Sequence, residues 1–434
     1  MKAPALFAFA AALALGTVLS AQAPRQVPIQ PLLGVGNNPT TPPPPSGSPD
    51  AFFNDNVLHR LDLVMNAKDW QTLKDNFLDN TYYPTDFKWG GETLRNVGIR
   101  SRGNGSRSGV KPGLRVDFDR YTTNQKFLGL KSFVLRNNTQ DPSGLHERLS
   151  MLMFRRLNLP APREAHTRVY VNDVYEGIFT IVESIDKDFL QRTFGEDSGN
   201  LYEYDYPPTA APWYFEDKGS DPAQYVPLPF KPETNENDPK PEFIVQWVQT
   251  VNTADSTTFQ PAVGEYLNLQ KFLRYIAVEA FVGDYDGFIG NYGINNFYIY
   301  RLNAQKLFNL IAWDKSEAFQ AGPESSVFHN INDTPEPQRN RLLMKALSQT
   351  DLFNAYLDAL LECARTASEP GDGDARGWLE REVEREYQQV RQATIEDTKK
   401  PFSNDAFEQS INALRDYARR RPEIVNSQVS TARP

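Results

Sequence analysis

The chain has 434 residues, 40% of them apolar and 23% charged, enough to bury a substantial core in two lobes or domains. Its 46 Lys+Arg against 55 Asp+Glu give a net charge of −9, which argues against nucleic acid as a partner, since that would call for a basic stripe. The single cysteine, Cys363, excludes an internal disulfide and, within "YLDALLECARTA", reads as a core residue.

In chain order, Lys2, an apolar run over residues 4–19 and the small-x-small triplet Ala21-Gln22-Ala23 read as a signal peptide over residues 1–23. The run is short for a bilayer span, and no cysteine follows it to carry a lipid. The expectation is a secreted or cell-envelope protein with no stable membrane anchor after signal cleavage. Residues 24–50, "PRQVPIQPLLGVGNNPTTPPPPSGSP" and the acid that follows, read as a Pro-rich disordered linker.

Folding is expected to begin near Phe52. "VLHRLDLVM" reads as a strand and "NAKDWQTLKDNF" as a helix with Trp70, Leu73 and Phe77 on one face. Gly90-Gly91 divides two alternating runs, a hairpin signal, and "GLRVDFD" and "KSFVLRN" continue the strands. "PSGLHERLSMLMFRRLNLP" reads as a helix opened by Pro142-Ser143, with Leu145, Leu149, Leu152 and Met153 as its apolar stripe. A second hairpin turns at Asn172-Asp173, and residues 200–262, rich in proline, aromatics and acids without period, read as an irregular insertion. "LNLQKFLRYIAVEAFVG" reads as a buried helix, "NNFYIYRLNAQKLFNLIAW" as a third hairpin, and the chain from about residue 338 as helical. The sum is an α+β fold in two lobes: a strand-rich N-terminal lobe over 51–190, and a C-terminal lobe over 191–434 with a catalytic hairpin at 281–320 and a helical tail.

Three constellations could carry chemistry. In "RSRGNGSRSGVKPGLRVDF", Arg102, Arg107 and Lys111 surround Gly103, Gly105 and Gly109. Glycines let backbone N–H groups approach phosphate oxygens, and the cations neutralise them. The pattern is neither a Walker sequence nor a dinucleotide fingerprint, and a solvated basic turn reads the same way. In "GDYDGFIGNYGINNFYIY", Asp286 and Asn296 flank a glycine-containing loop after a buried helix. A carboxylate there can take a proton from a hydroxyl nucleophile and an amide oxygen can ligate Mg²⁺, although Asp and Asn also simply build loop turns. In "KLFNLIAWDKSEAF", Asp314 follows a strand and can project into a cleft shared with them. Base, amide ligand and carboxylate ligand in that order, below a glycine-rich basic loop, is the layout of a protein-kinase-like catalyst.

These residues carry a resemblance to the CotH kinase family of spore-coat proteins, an atypical, exported branch of the kinase-like fold. The matching stretches are "RGNGSR" with "KPGLRVDFD", "LHERLSMLMFRRLNLPAP", "VYVNDVYEGIFTIVESIDKDFL", "GDYDGFIGNYGINNFYIY" and "IAWDKSEAF", spanning roughly residues 55–320 in the family's order. The resemblance implies an ATP-dependent protein kinase requiring Mg²⁺ or Mn²⁺ and acting on exported or cell-surface proteins. It implies Asp286 as the catalytic Asp, and Asn296 and Asp314 as metal ligands. Lys111, with Arg102 and Arg107, would face the phosphates, and Glu183 would meet the nucleotide where the lobes join. Three positions depart from the family's usual pattern. "WDKS" stands for "WDLD", so Ser316 replaces the second Asp; Asp284 replaces a common Asn; and His146 replaces an Arg. Glu317 follows Ser316, and on a strand-like turn its side chain would point away from Asp314.

Two other readings stay open: a degenerate kinase-like fold serving as a secreted surface or matrix binding protein, and a nucleotide enzyme that transfers another group, such as AMP. His59, His146, His166 and His329 lack metal-ligand spacing, and no serine sits in a nucleophile elbow. "EPGDGDARG" reads as a solvated turn and "REVEREYQQVRQ" as a solvated, charge-alternating helix face.

Overall fold

The computed structural model describes residues 47–205, 210–331 and 338–433. The expected signal peptide, and the linker up to residue 46, lie outside the described residues. No helix among the described residues is long and apolar enough to cross a membrane.

The first part is built from β1 (His59–Met65), α1 (Ala67–Asp75), β2 (Tyr83–Trp89), β3 (Glu92–Ser101), β4 (Leu114–Asp117), β5 (Ser132–Arg136), α2 (His146–Arg156), β6 (Glu164–Val171) and β7 (Val174–Glu183). The strands close into a barrel in the order β1-β2-β3-β4-β5-β7-β6, antiparallel except for the β6–β1 pair that seals it. Alternation fills its interior with one face of each strand: Leu61 and Leu63, Phe87, Val97 and Ile99, Val116, Phe133 and Leu135, Val169, Ile181. Phe52 lies edge-on to Phe87, Trp89, Phe127 and Phe133, with ring centroids between 5.0 and 6.3 Å apart. The hairpin turns sit where expected. Asn172 and Asp173 both take left-handed φ, 50° and 65°, the geometry of a two-residue turn matched to strand twist.

Helix α2 begins at His146 rather than at Pro142. The Asp141 carboxylate accepts the backbone N–H groups of Ser143 and His146, each at 2.8 Å, and turns the preceding segment into a polar loop.

The remainder comprises α3 (Lys187–Phe194), β8 (Asn200–Tyr204), β9 (Phe230–Pro232), α4 (Glu242–Thr253), α5 (Phe259–Gly264), α6 (Leu269–Val282), β10 (Phe297–Arg301), β11 (Phe308–Ala312), α7 (Arg341–Leu347), α8 (Thr350–Ser368), β12 (Pro370–Gly371), β13 (Asp374–Gly377), α9 (Trp378–Glu396) and α10 (Asn404–Ala432). A four-stranded sheet runs β11-β10-β8-β9. The 200–262 segment is therefore not merely an irregular insertion: it supplies β8, which pairs with β10, and helices α4 and α5. Its short, proline-flanked elements leave no periodic run to read.

The largest core gathers Leu149, Trp247, Ile276, Leu360, Val383 and Leu414 from six helices. A smaller one packs Val134 and Val182 of the barrel against Leu201, Tyr298, Ile311 and Trp313, fastening barrel to sheet. Helix α9 is not the solvated face its charges suggest. Glu386 is fully buried, ion-paired with buried Arg148 of α2 and 3.1 Å from His166 Nε2. Cys363 is buried on α8, as its apolar neighbours imply.

Candidate active site

Ser101 pairs with Leu114 and Leu114 with Leu135, so β3 and β5 end at one rim and deliver Arg102 and Arg136 to it. Both guanidiniums lie over the ring of Trp313, at 5.6 and 5.1 Å from its centroid. Arg136 Nη1 is 2.8 Å from Asp314 Oδ1, and its Nε is 2.7 Å from Glu147 Oε2 on α2. Its Nη2 is buried without a hydrogen-bond partner. Burial alone would raise the Asp314 carboxyl. The Arg136 charge and hydrogen bond, then Arg102 and the Ser316 hydroxyl, hold it below its ordinary value instead. At Glu147 burial outweighs Arg136 and pushes the carboxyl up to about 7.

Helix α6 ends at Gly283, whose left-handed φ of 63° turns the chain into the loop that carries Asp286. Asn296 Nδ2 donates to Asp286 Oδ2 at 2.8 Å and to the Asp286 carbonyl at 3.0 Å, while Asn295 Nδ2 donates to Oδ1 at 3.1 Å. Two amides thus aim one carboxylate. Burial raises the Asp286 carboxyl; the Asn295 hydrogen bond opposes this, and the charges of Asp284 and Asp314 add to it. Lys315, the neighbour of Asp314, donates to the Asn296 carbonyl at 3.2 Å, which joins the two carboxylate-bearing loops. Asn296 and Asp314 each adopt left-handed φ, 56° and 48°, which Asn and Asp tolerate at the turns that flank β10 and β11.

Of the residues expected from sequence, Asp286, Asn296, Asp314 and Arg102 come together here. Arg102 makes no side-chain hydrogen bond or ion pair with a described residue, and burial, then the neighbouring Arg136, lowers its pKa. Three others are placed elsewhere. Lys111 is buried and does not face the cleft: its ammonium is 2.6 Å from Asp397 Oδ2 and 2.7 Å from the Ile178 carbonyl. Arg107 donates to the carbonyls of Gly103, Phe77 and Asp79 and to Asn80 Oδ1, pinning its own loop to the end of α1. Glu183 accepts from Arg163 and Arg192 on both carboxylate oxygens, which leaves it committed to the joint between β7 and α3. The alternation argument for Glu317 also fails, because β11 stops at Ala312 and residues 316–320 form a turn. Its carboxyl accepts from Gln140 at 3.2 Å and is raised by burial and, after the opposing Gln320 hydrogen bond, by Asp286 and Asp314.

Sequence reasoning missed Arg136 and Glu147. Both had a signal: an arginine closing an apolar, fully buried strand, and an acid in the first turn of the helix that follows. A small solvent-open recess beside the pair is lined by Arg102, Ser106, Arg136, Asn137, Gln140, Glu147 and Ser316, while Asp286, Asn296 and Asp314 lie outside its lining. An unpartnered buried Nη2 beside a second guanidinium fits a phosphate. Among the described residues no group of three or more His, Cys, Asp or Glu is placed to hold a metal alone. A Mg²⁺ ion would take Asp314 and Asn296 together with phosphate oxygens and water.

A carboxylate held by two amides, a second carboxylate and an arginine pair on a mixed α/β frame fit a kinase-like protein. A family model described as "CotH kinase protein" matches residues 99–425, and the chain belongs to that family. The inner spore coat protein H of Bacillus subtilis (strain 168) is 22% identical over 381 residues, 87% of this chain and 99% of that protein. The crystal structure of the Helicobacter pylori proinflammatory kinase CtkA aligns with 69% of this chain and 91% of its own, at 10% identity and a TM-score of 0.30. At that score no CtkA residue is mapped onto this chain.

Proposed function

We propose that this chain is an exported protein kinase that transfers the γ-phosphate of ATP to a hydroxyl on a secreted or cell-surface protein, using a two-lobed fold whose cleft lies between barrel and β10–β11 hairpin. The observation that carries this reading is the chain of contacts from Asp286, held by Asn295 and Asn296, through the Asn296 carbonyl to Lys315, the neighbour of the Arg136-paired Asp314. Asp286, its pKa raised chiefly by burial, orients the acceptor hydroxyl and takes its proton. Arg102 and the free Nη2 of Arg136 bind phosphate oxygens, and Glu147 fixes the guanidinium from behind. Asp314 and the Asn296 amide oxygen would hold Mg²⁺ or Mn²⁺, which when bound offsets the charge on the phosphates. The acidic chain and the expected signal peptide support export and a protein rather than nucleic-acid acceptor.

One observation favours the alternative, a degenerate fold used for binding: Asp314 is neutralised by Arg136, and Ser316 supplies only a hydroxyl, 3.2 Å away. A thermal-shift titration separates the two. The kinase reading expects ATP to raise Tm only with Mg²⁺ or Mn²⁺ present, because a ligand of the native state stabilises it by mass action. No metal-dependent shift at millimolar ATP would favour the binding module.

A further inference from the structure

We propose that Lys315 is the positioning residue of this site: its buried ammonium ties the 284–296 loop to the Asp314 turn and so aims Asp286 into the cleft. The proposal rests on the phosphotransfer reading for its consequence, though not for its geometry. Lys315 lies between Asp314 and Ser316 but turns inward and is fully buried. Its Nζ is 2.7 Å from Glu279 Oε1, 2.8 Å from Asp284 Oδ2 and 3.2 Å from the Asn296 carbonyl.

Each of those partners holds a part of the catalytic loop. Asp284 Oδ1 accepts the backbone N–H of Asp286 at 3.3 Å. Glu279, the one acid of α6, accepts the N–H groups of Phe288 and Ile289 at 3.1 and 3.2 Å. Asn296 hydrogen-bonds the Asp286 carboxylate itself. A single cation therefore reaches the start, middle and end of the loop. Gly287 sits so close that an added Cβ would run into the Glu279 and Asp284 carboxylates.

One of the three departures from the usual family pattern, Asp284, thus has its partner in Lys315, which stands beside another, Ser316. An acid at 284 and a base at 315 form a buried ion pair. A buried charge without its partner is strongly disfavoured: loss of Lys315 strands both the Glu279 and the Asp284 carboxylates, whereas loss of the Asp284 charge leaves Lys315 paired with Glu279.

The test compares the full-length protein with Lys315→Met, Asp284→Asn and the double variant by hydrogen–deuterium exchange, with turnover measured alongside. Lys315→Met is expected to raise exchange across residues 284–291 by at least ~10-fold while the barrel strands stay protected, since the loss falls on local opening. It should lower kcat by ~10-fold or more and change the ATP concentration for half-maximal rate by less than ~3-fold, because geometry rather than nucleotide binding is disturbed. Asp284→Asn, which keeps the Lys315–Glu279 pair, should cost less than Lys315→Met, and the double variant, in which Glu279 stays uncompensated, should recover only part of both losses. Unchanged exchange over 284–291 in Lys315→Met would overturn the proposal, as would an equal rise throughout the barrel. If Lys315→Met does not fold, Gly287→Ala perturbs the same contacts, and unchanged loop exchange there overturns it equally. Wild-type protein that transfers no phosphate would refute the phosphotransfer reading, and the exchange comparison would still decide how the loop is held.

Discussion

Arg136, the last residue of a barrel strand, lies 2.8 Å from Asp314, the second residue after β11, and joins the two halves of the site through one guanidinium. The same guanidinium touches Glu147 on α2, so strand, helix and hairpin are registered by one side chain. Arg136→Met should abolish metal-dependent ATP stabilisation. Arg136→Lys keeps the charge but loses the planar fork and should weaken ATP by at least ~10-fold, since the two cations are not interchangeable at a forked site. Thermal-shift titration with ATP and Mn²⁺ reads both.

The two carboxylates should separate by role. Asp314→Ala removes a metal ligand and should abolish both metal-dependent ATP stabilisation and transfer. Asp286→Ala should leave stabilisation largely intact and lower turnover by ~10²–10⁴-fold, the usual contribution of a positioned general base. Ser316→Asp should lower the metal concentration needed for half-maximal ATP stabilisation, because a second carboxylate adds to the cation site. The reverse pattern for Asp314 and Asp286 would exchange their assignments.

The pH dependence follows from Asp286. Its carboxyl is raised above the ordinary 3.8, first by burial, and the Asn295 hydrogen bond pulls it back. A base must be ionised to act, so the acidic limb of kcat/KM should lie above 3.8 and activity should rise with pH through it. Asn295→Ala removes the opposing hydrogen bond and should move that limb further up. A limb that moves down would show that Asn295 does not stabilise the ionised form.

How much of this was legible in the sequence depends on where each residue takes its partners. The hairpin turning at Asn172-Asp173, the buried helix before Asp286 and the β10–β11 hairpin are local patterns, and each was readable from period and turn chemistry. Barrel closure was not, because it depends on β6 pairing in parallel with β1 across about a hundred residues, which no short-range pattern encodes. Lys111 looked like a phosphate ligand because it follows a glycine-rich loop. What sequence could not supply was Asp397, 286 positions later, which takes its charge. Arg136 and Glu147 were passed over for the converse reason: each looks ordinary until the other, and Asp314, is placed beside it.

Lys111 yields a prediction of its own. Both partners of the Lys111–Asp397 pair are buried, so Lys111→Met leaves Asp397 uncompensated and should cost about 3–5 kcal/mol of stability. Metal-dependent ATP affinity, measured below the lowered Tm, should change little. Loss of ATP binding without loss of stability would return Lys111 to the phosphate site.

The central claim is transfer of a phosphoryl group from ATP, and intact-mass analysis after incubation with ATP and Mn²⁺ tests it most directly. The account predicts a metal-dependent gain of phosphoryl mass, on the protein itself or on an added exported acceptor, that disappears in Asp286→Ala while ATP stabilisation remains. A gain of AMP mass, or no gain by wild-type protein or acceptor under conditions where ATP and Mn²⁺ stabilise the fold, would contradict it.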